Sequence, residues 1–228
     1  MHNKTIKIAL VGQPNVGKSM LINSISNARL RVGNFSGVTV AKEEVFLKYK
    51  DYQIQITDLP GAYSLNDYTL EEKVTKEFLD KEDYDIILNV LDSTNLQRNL
   101  LLTSELLALD KKMIIALNMS DEAQKESIII DEIQLSRILG KPCIKTSAAK
   151  KIGITKLLDE IVTKFESQKL PTKLFFSDVI EEEIQTISQL LKDCAYKTNQ
   201  TYRQIAIKLL KEDKSTYKYF HDEPIWVK

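Results

Sequence analysis

Glycine is scarce in this chain of 228 residues and is unevenly distributed. Only seven glycines occur, five of them in the first 61 residues and none after Gly153. Glycine lets the backbone adopt conformations that are closed to other residues. The tight, flexible backbone is therefore concentrated near the amino terminus.

Three further absences exclude broad classes of protein. The two cysteines, Cys143 and Cys194, have no second Cys or His at metal-ligand spacing, which favours a reduced, cytosolic setting. No apolar run approaches 18 residues, and the amino-terminal run is too short for a signal peptide, so we expect a soluble chain. The 32 basic and 32 acidic residues balance, so no net field attracts nucleic acid or anionic lipid.

With 43% hydrophobic residues, the chain can form one large α/β domain and a small additional one.

Residues 12–19 read GQPNVGKS and match the spacing G-x-x-x-x-G-K-[ST] of phosphate-binding loops. An apolar run at 6–11 precedes the motif and helical spacing follows at 20–28, which is the strand–loop–helix order that the motif requires. Lys18 would contact the β- and γ-phosphates, and the Ser19 hydroxyl would hold Mg²⁺. A helix that follows a glycine-rich turn by chance is the alternative. The candidate binding loop comprises Gly12, Gln13, Pro14, Asn15, Val16, Gly17, Lys18, Ser19 and Met20.

A second motif, DLPG at 58–61, ends a predicted antiparallel hairpin over 43–61. Asp58 can hold Mg²⁺ through water, and the Gly61 N–H can point at a γ-phosphate. Alone this tetrapeptide is more often a simple turn, but its place beside a phosphate loop favours the functional interpretation. The segment 29–44 is predicted to be an ordered but movable loop, in which Thr39 would complete Mg²⁺ coordination while the γ-phosphate is present.

Two later motifs indicate which nucleotide binds. NMSD at 118–121 resembles the guanine-reading pattern N-K-x-D, with Met119 in place of Lys. Asp121 would accept from guanine N1–H and the 2-amino group, although an Asp that simply caps a helix is the alternative. Asn118 would tie this segment to the phosphate loop, and Met119 would pack on the base. Ser147 and Ala148, followed by Ala149 in TSAAK at 146–150, would present backbone N–H groups to guanine O6.

The order of predicted elements indicates an α/β fold. Strands at 84–92, 112–118 and 141–148 alternate with helices at 69–82, 99–110, 130–140 and 153–167. Such alternation predicts a mostly parallel sheet with helices on both faces and a ligand at the carboxyl ends of the strands. Together with the four motifs, this pattern resembles a Ras-like P-loop GTPase domain. Ala62 follows Gly61 where Ras-type enzymes have a water-orienting Gln, so slow intrinsic hydrolysis of GTP to GDP is expected.

Several segments resemble one family closely, the amino-terminal cytosolic region of bacterial ferrous iron transport protein B (FeoB). They are GQPNVGKS, RVGNFSGVTV at 31–40, DLPGAYSL at 58–65, DSTNLQRNLLLT at 92–103 and ALNMSDEA at 116–123. The resemblance implies a K⁺ ion held by Asn15 and by backbone carbonyls near Gly33 and Phe35, in the role of an arginine finger. A turn-favouring Asn after Pro14 is the alternative for Asn15. Catalysis would then depend on Asn15, Lys18, Thr39 and Gly61.

The remaining residues, 170–228, carry no motif of their own. LPTK is predicted to be a linker after a GTPase domain over 1–169, and helical spacing follows over 178–198 and 202–215. The resemblance implies a small all-helical, GDI-like regulatory domain that connects to the membrane-spanning part of the same polypeptide. Nine basic and nine acidic residues and no glycine over 171–228 argue against RNA binding. Tyr196, Tyr202, Tyr217, Tyr219 and Trp226 are therefore assigned to core or interface packing.

These observations leave more than one function open. The first hypothesis is the GTPase region of a ferrous iron transporter, at the cytoplasmic side of the inner membrane and ending before the membrane helices. The second is a free-standing Era-like switch whose helical tail binds a protein partner. A nucleotide-binding fold without turnover is the third. Guanine nucleotide is the partner in each, Mg²⁺ and K⁺ are the expected cofactors, and homo-oligomer formation is open.

Overall fold

The structure is a computed structural model that describes residues 4–25, 29–35, 38–66, 68–81, 83–168, 175–194, 196, 200–213 and 216–217. The chain divides into two compact units. The first comprises Met1–Leu107 and Lys111–Thr172, and the second comprises Ala108–Asp110 and Lys173–Lys228. The predicted linker LPTK and the residues Tyr219 and Trp226 lie outside the described residues.

The first unit is built on a seven-stranded sheet with the order β2-β3-β4-β1-β5-β6-β7. The four pairs from β4 to β7 are parallel, whereas β2–β3 and β3–β4 are antiparallel. The mostly parallel sheet that the sequence predicts is thus confirmed. The strands are β1 (Lys4–Gly12), β2 (Arg29–Asn34), β3 (Ala41–Tyr49), β4 (Tyr52–Asp58), β5 (Ile86–Asp92), β6 (Met113–Asn118) and β7 (Cys143–Lys145).

Helices connect the parallel strands and lie on both faces of the sheet. Leu88 and Val90 of β5 join the core cluster that also contains Leu157 and Ile161 of α6. Asn89 lies between them, and its side chain donates to Thr103 of α3 at 2.8 Å. Because successive side chains of a strand point to opposite faces, α6 and α3 cover different faces. The helices of this unit are α1 (Lys18–Ser24), α2 (Leu70–Lys81), α3 (Leu96–Leu107), α4 (Ser120–Lys125), α5 (Glu132–Leu139) and α6 (Ile154–Glu166).

The strand register brings the sequence motifs to one edge of the sheet. Leu10 of β1 lies beside Asp58 of β4, and Gly12 lies beside Val90 of β5. On the other side of β5, Asp92 lies beside Asn118 of β6. Since these strands are parallel, their carboxyl ends form a common rim, which is where α/β sheets bind ligands.

Two local predictions from the sequence differ from the structure. The loop predicted over 29–44 is wrong for Arg29–Asn34, which pairs with β3 as an edge strand, and from Ala41, where β3 begins. The glycine and Asn that indicated a loop are accommodated because pairing with β3 compensates for a weak strand propensity. The short helix α4 was not predicted, because six residues are too few for a periodic signal.

The second unit contains α7 (Asp178–Asp193) and α8 (Tyr202–Leu210), within the two predicted helical ranges. Thr201 and Gln204 form a capping box that starts α8. Ile184 and Ile207 pack with Ala206 in a small apolar core. The helices of the described part of the chain include none that is both long and apolar enough to cross a bilayer.

Candidate functional site

The phosphate-loop motif forms the connection between β1 and α1. The backbone of this loop alternates between left-handed and right-handed conformations, since Asn15 and Gly17 have positive φ angles of 66° and 84° and Val16 between them does not. Such alternation turns successive N–H groups toward a common centre and favours an anion there. Asn15 and Met20 are exposed, whereas Gln13 and Val16 are buried. Residues 12–19 thus form an open, concave loop that rests on buried side chains, and we call this loop the cup.

Gly17 is required because it packs closely against residues 118–121, the segment predicted to contact the base and called the base-reading segment below. A Cβ at this position would lie 2.5 Å from the Nδ2 atom of Asn118 and 3.6 Å from the Cε atom of Met119. Asn118 is 1% exposed, and its Nδ2 donates to the Val16 carbonyl at 2.9 Å. The sequence predicted a link from Asn118 to the phosphate loop, and the structure contains this hydrogen bond.

Lys18, Ser19 and Asp58 meet at the mouth of the cup. Burial lowers the pKa of Lys18, and the Asp58 charge opposes that shift. Burial also raises the pKa of the Asp58 carboxyl to about 6, although Lys18 and a hydrogen bond from the Ser19 hydroxyl favour the charged form. Because burial disfavours the charged form of the Asp58 carboxyl, a cation bound beside it would be stabilising.

The same carboxylate provides a test of whether Mg²⁺ fits here. Its Oδ1 atom is buried and has no hydrogen-bond partner in the structure. Carboxylate and hydroxyl oxygens are the ligand types that Mg²⁺ prefers, and Ser19 supplies the second of them. The donor set therefore fits the ion. Elsewhere, the described side chains contain no group of three or more His, Cys, Asp or Glu residues that could hold a metal.

The DLPG turn lies directly against the phosphate loop. A Cβ at Gly61 would lie 2.9 Å from the backbone nitrogen of Pro14, so only glycine allows this approach. The next residue, Ala62, donates its N–H to the Gly12 carbonyl at 3.3 Å. The Thr75 hydroxyl of α2 donates to the Pro60 carbonyl at 3.0 Å. The turn is thus held by both the cup and α2.

Two carboxylates hold the loop that follows the turn. Glu72 of α2 accepts from the Ser64 N–H at 3.1 Å and from the Tyr68 N–H at 3.3 Å. Glu105 of α3 accepts from the Leu65 N–H at 2.7 Å. The irregular backbone after Gly61 therefore has defined partners on two helices.

Thr39 lies on the irregular connection between β2 and β3. It is exposed and lies four residues before Glu43, which pairs with Asp58 across β3 and β4. The proposed K⁺ ligands lie on the same hairpin: Gly33 is exposed on β2, and Phe35 is buried. The structure places these three residues near the rim, while the cup itself contains Asn15.

The base-reading segment follows β6. Asp121 lies in the first turn of α4 and is not its cap, because Met119, with a φ of 57°, occupies the cap position. The carboxylate is only 8% exposed, and a hydrogen bond from Ser147 and the nearby Lys150 hold its pKa below the usual value. A deprotonated Asp121 at the edge of the site can accept two hydrogen bonds from one ligand.

The TSAAK segment differs in detail from its predicted role. The Ser147 N–H donates to the Ile152 carbonyl at 3.0 Å, and the Ala148 N–H donates to Asn118 Oδ1 at 3.1 Å. Both amides are therefore engaged within the protein, that of Ser147 in an isolated bridge to Ile152 and that of Ala148 with the Asn118 side chain. Ser147 joins the site through its hydroxyl instead, while Ala149 is exposed.

Two residues of the site region were not predicted from the sequence. Lys150 Nζ lies 3.5 Å from Asp121 Oδ2, and Arg98 accepts through its backbone carbonyl from Gln13 Nε2 at 2.8 Å. The Arg98 guanidinium also stacks over the ring of Tyr63, 4.7 Å from its centroid. Lys150 ends the TSAAK segment at 146–150, and this charge close to the predicted site is the signal that identifies it in the sequence. Arg98 lies within the FeoB-like segment at 92–103, but the resemblance assigns it no role.

Comparison with known proteins adds to this geometry. A family model described as "Ferrous iron transport protein B" matches residues 6–161, which contain the whole phosphate loop, the DLPG turn and the base-reading segment. The chain belongs to this family. A second model, the FeoB cytosolic helical domain, matches residues 176–227.

Relatives of the family resemble the chain over nearly its whole length. The Fe(2+) transporter FeoB of Helicobacter pylori strain J99 is 51% identical over 221 residues, which are 96% of this chain and 33% of that protein. The chain thus spans about one third of the length of the curated relatives it matches. The cytosolic domain of the T. maritima FeoB iron transporter in its GDP form I has a TM-score of 0.89 at 35% identity, covering 96% of this chain and 85% of that one. Its GMPPNP form has a TM-score of 0.87 at 36% identity, covering 94% and 84%.

Proposed function

We propose that this chain binds guanine nucleotides with Mg²⁺ and hydrolyses GTP, as the cytosolic part of a ferrous iron transporter. The observation that carries the proposal is the position of Asn118. Its side chain bonds to the phosphate loop at Val16 and to the TSAAK segment at Ala148. Asn118 therefore connects the proposed phosphate-binding loop to the segment whose Ser147 hydroxyl contacts Asp121, the carboxylate proposed to bind the base. The GDP and GMPPNP forms of the T. maritima cytosolic domain support the assignment.

Each end of the nucleotide has its own partners in this proposal. The inward N–H groups of the cup and the Lys18 ammonium bind the phosphates. Asp121 accepts from guanine N1–H and the 2-amino group, and Met119 packs on the ring. Adenine offers neither donor, so Asp121 would lose both hydrogen bonds that guanine supplies, and adenine nucleotides would bind ~10⁴-fold more weakly. Ser147 keeps this carboxylate oriented through its hydroxyl.

The residues around the γ-phosphate would perform hydrolysis. Ser19, Asp58 and Thr39 would hold Mg²⁺, which neutralises charge on the phosphate oxygens when bound. Asn15 and the carbonyls of Gly33 and Phe35 would hold K⁺, which supplies further positive charge. With Ala62 in place of a water-orienting Gln, the intrinsic rate is slow without K⁺.

Phosphate release in K⁺ and in Na⁺ buffer tests this assignment. We expect faster GTP hydrolysis with Mg²⁺ in K⁺ than in Na⁺. Asn15→Gly should abolish the difference, since glycine keeps the positive φ of 66° at this position and removes only the side chain. Asn15→Ala should do the same with added backbone strain. Equal K⁺ stimulation in Asn15→Gly would rule out the Asn15 ligand.

We further propose that residues 170–228 form a regulatory domain attached to a GTPase domain over 1–169. In the transporter, this region would lie on the cytoplasmic side of the membrane and act on the membrane-spanning part of the same polypeptide. The match of residues 176–227 to the FeoB cytosolic helical domain supports this over a free-standing switch. Deleting 170–228 should alter GDP affinity, and an unchanged affinity would contradict the regulatory role.

A further inference from the structure

Phe35 packs in an aromatic cluster whose other members, Phe78 and Tyr84, lie outside every motif described above. Its ring meets Phe78 of α2 edge-on, with centroids 6.1 Å apart and an interplanar angle of 86°. Phe78 in turn stacks on Tyr84 at 6.1 Å and 19°. All three side chains are at most 9% exposed. We call Phe35, Phe78 and Tyr84 the aromatic anchor.

Lys42 reinforces the anchor from β3. Its Nζ lies 5.9 Å from the ring centroids of both Phe35 and Phe78, within reach of a cation–π interaction. The same ammonium pairs with Glu44 at 3.2 Å. Lys42 is also the register partner of Gly33 across β2 and β3. The Lys42 ammonium of β3 thus contacts both Phe35 and Phe78, and through Phe78 it links β3 to α2.

The anchor fixes one end of the connection that carries Thr39. The Phe35 N–H donates to the Val40 carbonyl at 3.0 Å, and the Val38 N–H donates to the Phe35 carbonyl at 3.3 Å. Val38, Thr39 and Val40 are partly or fully exposed, so Phe35 is the buried side chain among the described residues of this connection. Through these hydrogen bonds, the position of the Phe35 ring affects where residues 38–40 lie relative to α2.

We propose that Phe78 is a positioning residue for GTP hydrolysis, acting through the ring of Phe35 on the neighbouring residues 38–40. This inference rests on the proposed function, in which the Phe35 carbonyl and Thr39 contact the cations of the GTP-bound site. Neither group is needed to bind GDP. Loss of the anchor should therefore reduce hydrolysis and leave GDP affinity unchanged, a split that a merely structural role would not produce.

The test uses the full chain and three measurements on Phe78→Leu, which keeps an apolar side chain and removes the ring. Single-turnover GTP hydrolysis in Mg²⁺ and K⁺ should fall about tenfold, the upper range for an aromatic pair. The GDP dissociation constant should stay within about twofold, since the cup is unaltered. Hydrogen exchange of the Val38 amide should accelerate. Phe165→Leu is the matched control, because it breaks a similar edge-on pair with Tyr52 at 5.8 Å on another part of the sheet.

A double-mutant cycle with Phe35→Leu separates the pair from general destabilisation. If Phe78 acts through Phe35, the double variant should hydrolyse GTP about as slowly as either single variant. Three results would each overturn this inference while leaving the proposed function intact. They are unchanged GTP hydrolysis in Phe78→Leu, additive losses of hydrolysis in the double variant, and a loss of GDP affinity as large as the loss of hydrolysis. Absence of GTP hydrolysis in the unsubstituted chain would instead overturn the proposed function, and this inference with it.

Discussion

At the scale of single residues, Lys18 is the cation that the phosphate-loop motif itself supplies. Its Nζ lies 3.5 Å from the Gly12 carbonyl, and burial lowers its pKa. A phosphate would replace the weak carbonyl contact by a charge-assisted hydrogen bond. We expect Lys18→Ala to abolish measurable GDP binding, a loss of about 100-fold or more. Calorimetry checks this, with exposed Lys48→Ala as the control, and an unchanged affinity would contradict the role of Lys18.

Asp121 offers a second prediction at this scale, because its chemistry can be changed with almost no change of shape. Asp121→Asn can donate to the 2-oxo group of xanthine but cannot accept from both guanine donors. We expect the preference for GDP over XDP to reverse, by roughly 100-fold or more. Glu122→Gln, one residue along α4 and exposed, should leave the preference intact. Retained GDP preference in Asp121→Asn would count against base reading by this residue.

Residue types at fixed spacing predicted most of the site, and tertiary contacts account for the rest. Lys18, Ser19 and Asp58 were found because each motif fixes its own residue types, and strand order brings them together. The engaged amides of Ser147 and Ala148 were not predicted, since they depend on hydrogen bonds to Ile152 and Asn118 that local sequence does not encode. The aromatic anchor was missed for the same reason, because Phe35 and Phe78 are 43 positions apart and the segment that contains Phe35 does not indicate its partner.

At the scale of elements, periodicity predicted the long helices and buried strands but not weak edges. The strand β2 contains Gly33 and Asn34, which are poor strand residues, and it exists because β3 offers a pairing edge. The start of α3 lies at Leu96, three residues before the predicted start, because a short 3₁₀ turn over Ser93–Asn95 leads into it. Boundaries of this kind depend on capping geometry that periodicity does not report.

The capping of α7 and α8 provides a matched pair for a stability prediction. The Thr201 side chain accepts from the Gln204 N–H and completes a capping box, whereas Ser177 at the start of α7 makes no side-chain cap hydrogen bond. Thr201→Ala should cost about 1 kcal/mol and lower the melting temperature by about 2–4 °C. Ser177→Ala should change it little. Equal effects of the two substitutions in thermal unfolding would show that the box does not stabilise α8.

At the scale of the whole molecule, the site belongs entirely to the first unit. The cup, the DLPG turn and the base-reading segment all lie within Met1–Leu107 and Lys111–Thr172. The second unit includes Ala108–Asp110, which directly follow α3, and Gln204 of α8 hydrogen-bonds to the Leu109 carbonyl. Both residues of this hydrogen bond belong to the second unit, and none of the residues proposed to select the base does.

The most direct measurement is a calorimetric titration of the chain with GDP and, separately, with ADP in the presence of Mg²⁺. The account predicts that GDP binds at one site and that ADP binds ~10⁴-fold more weakly, because adenine lacks the N1–H and 2-amino donors that Asp121 accepts from in guanine. Comparable affinities for the two nucleotides would show that Asp121 does not select the base. No heat from either one would show that the cup between β1 and α1 does not bind phosphates.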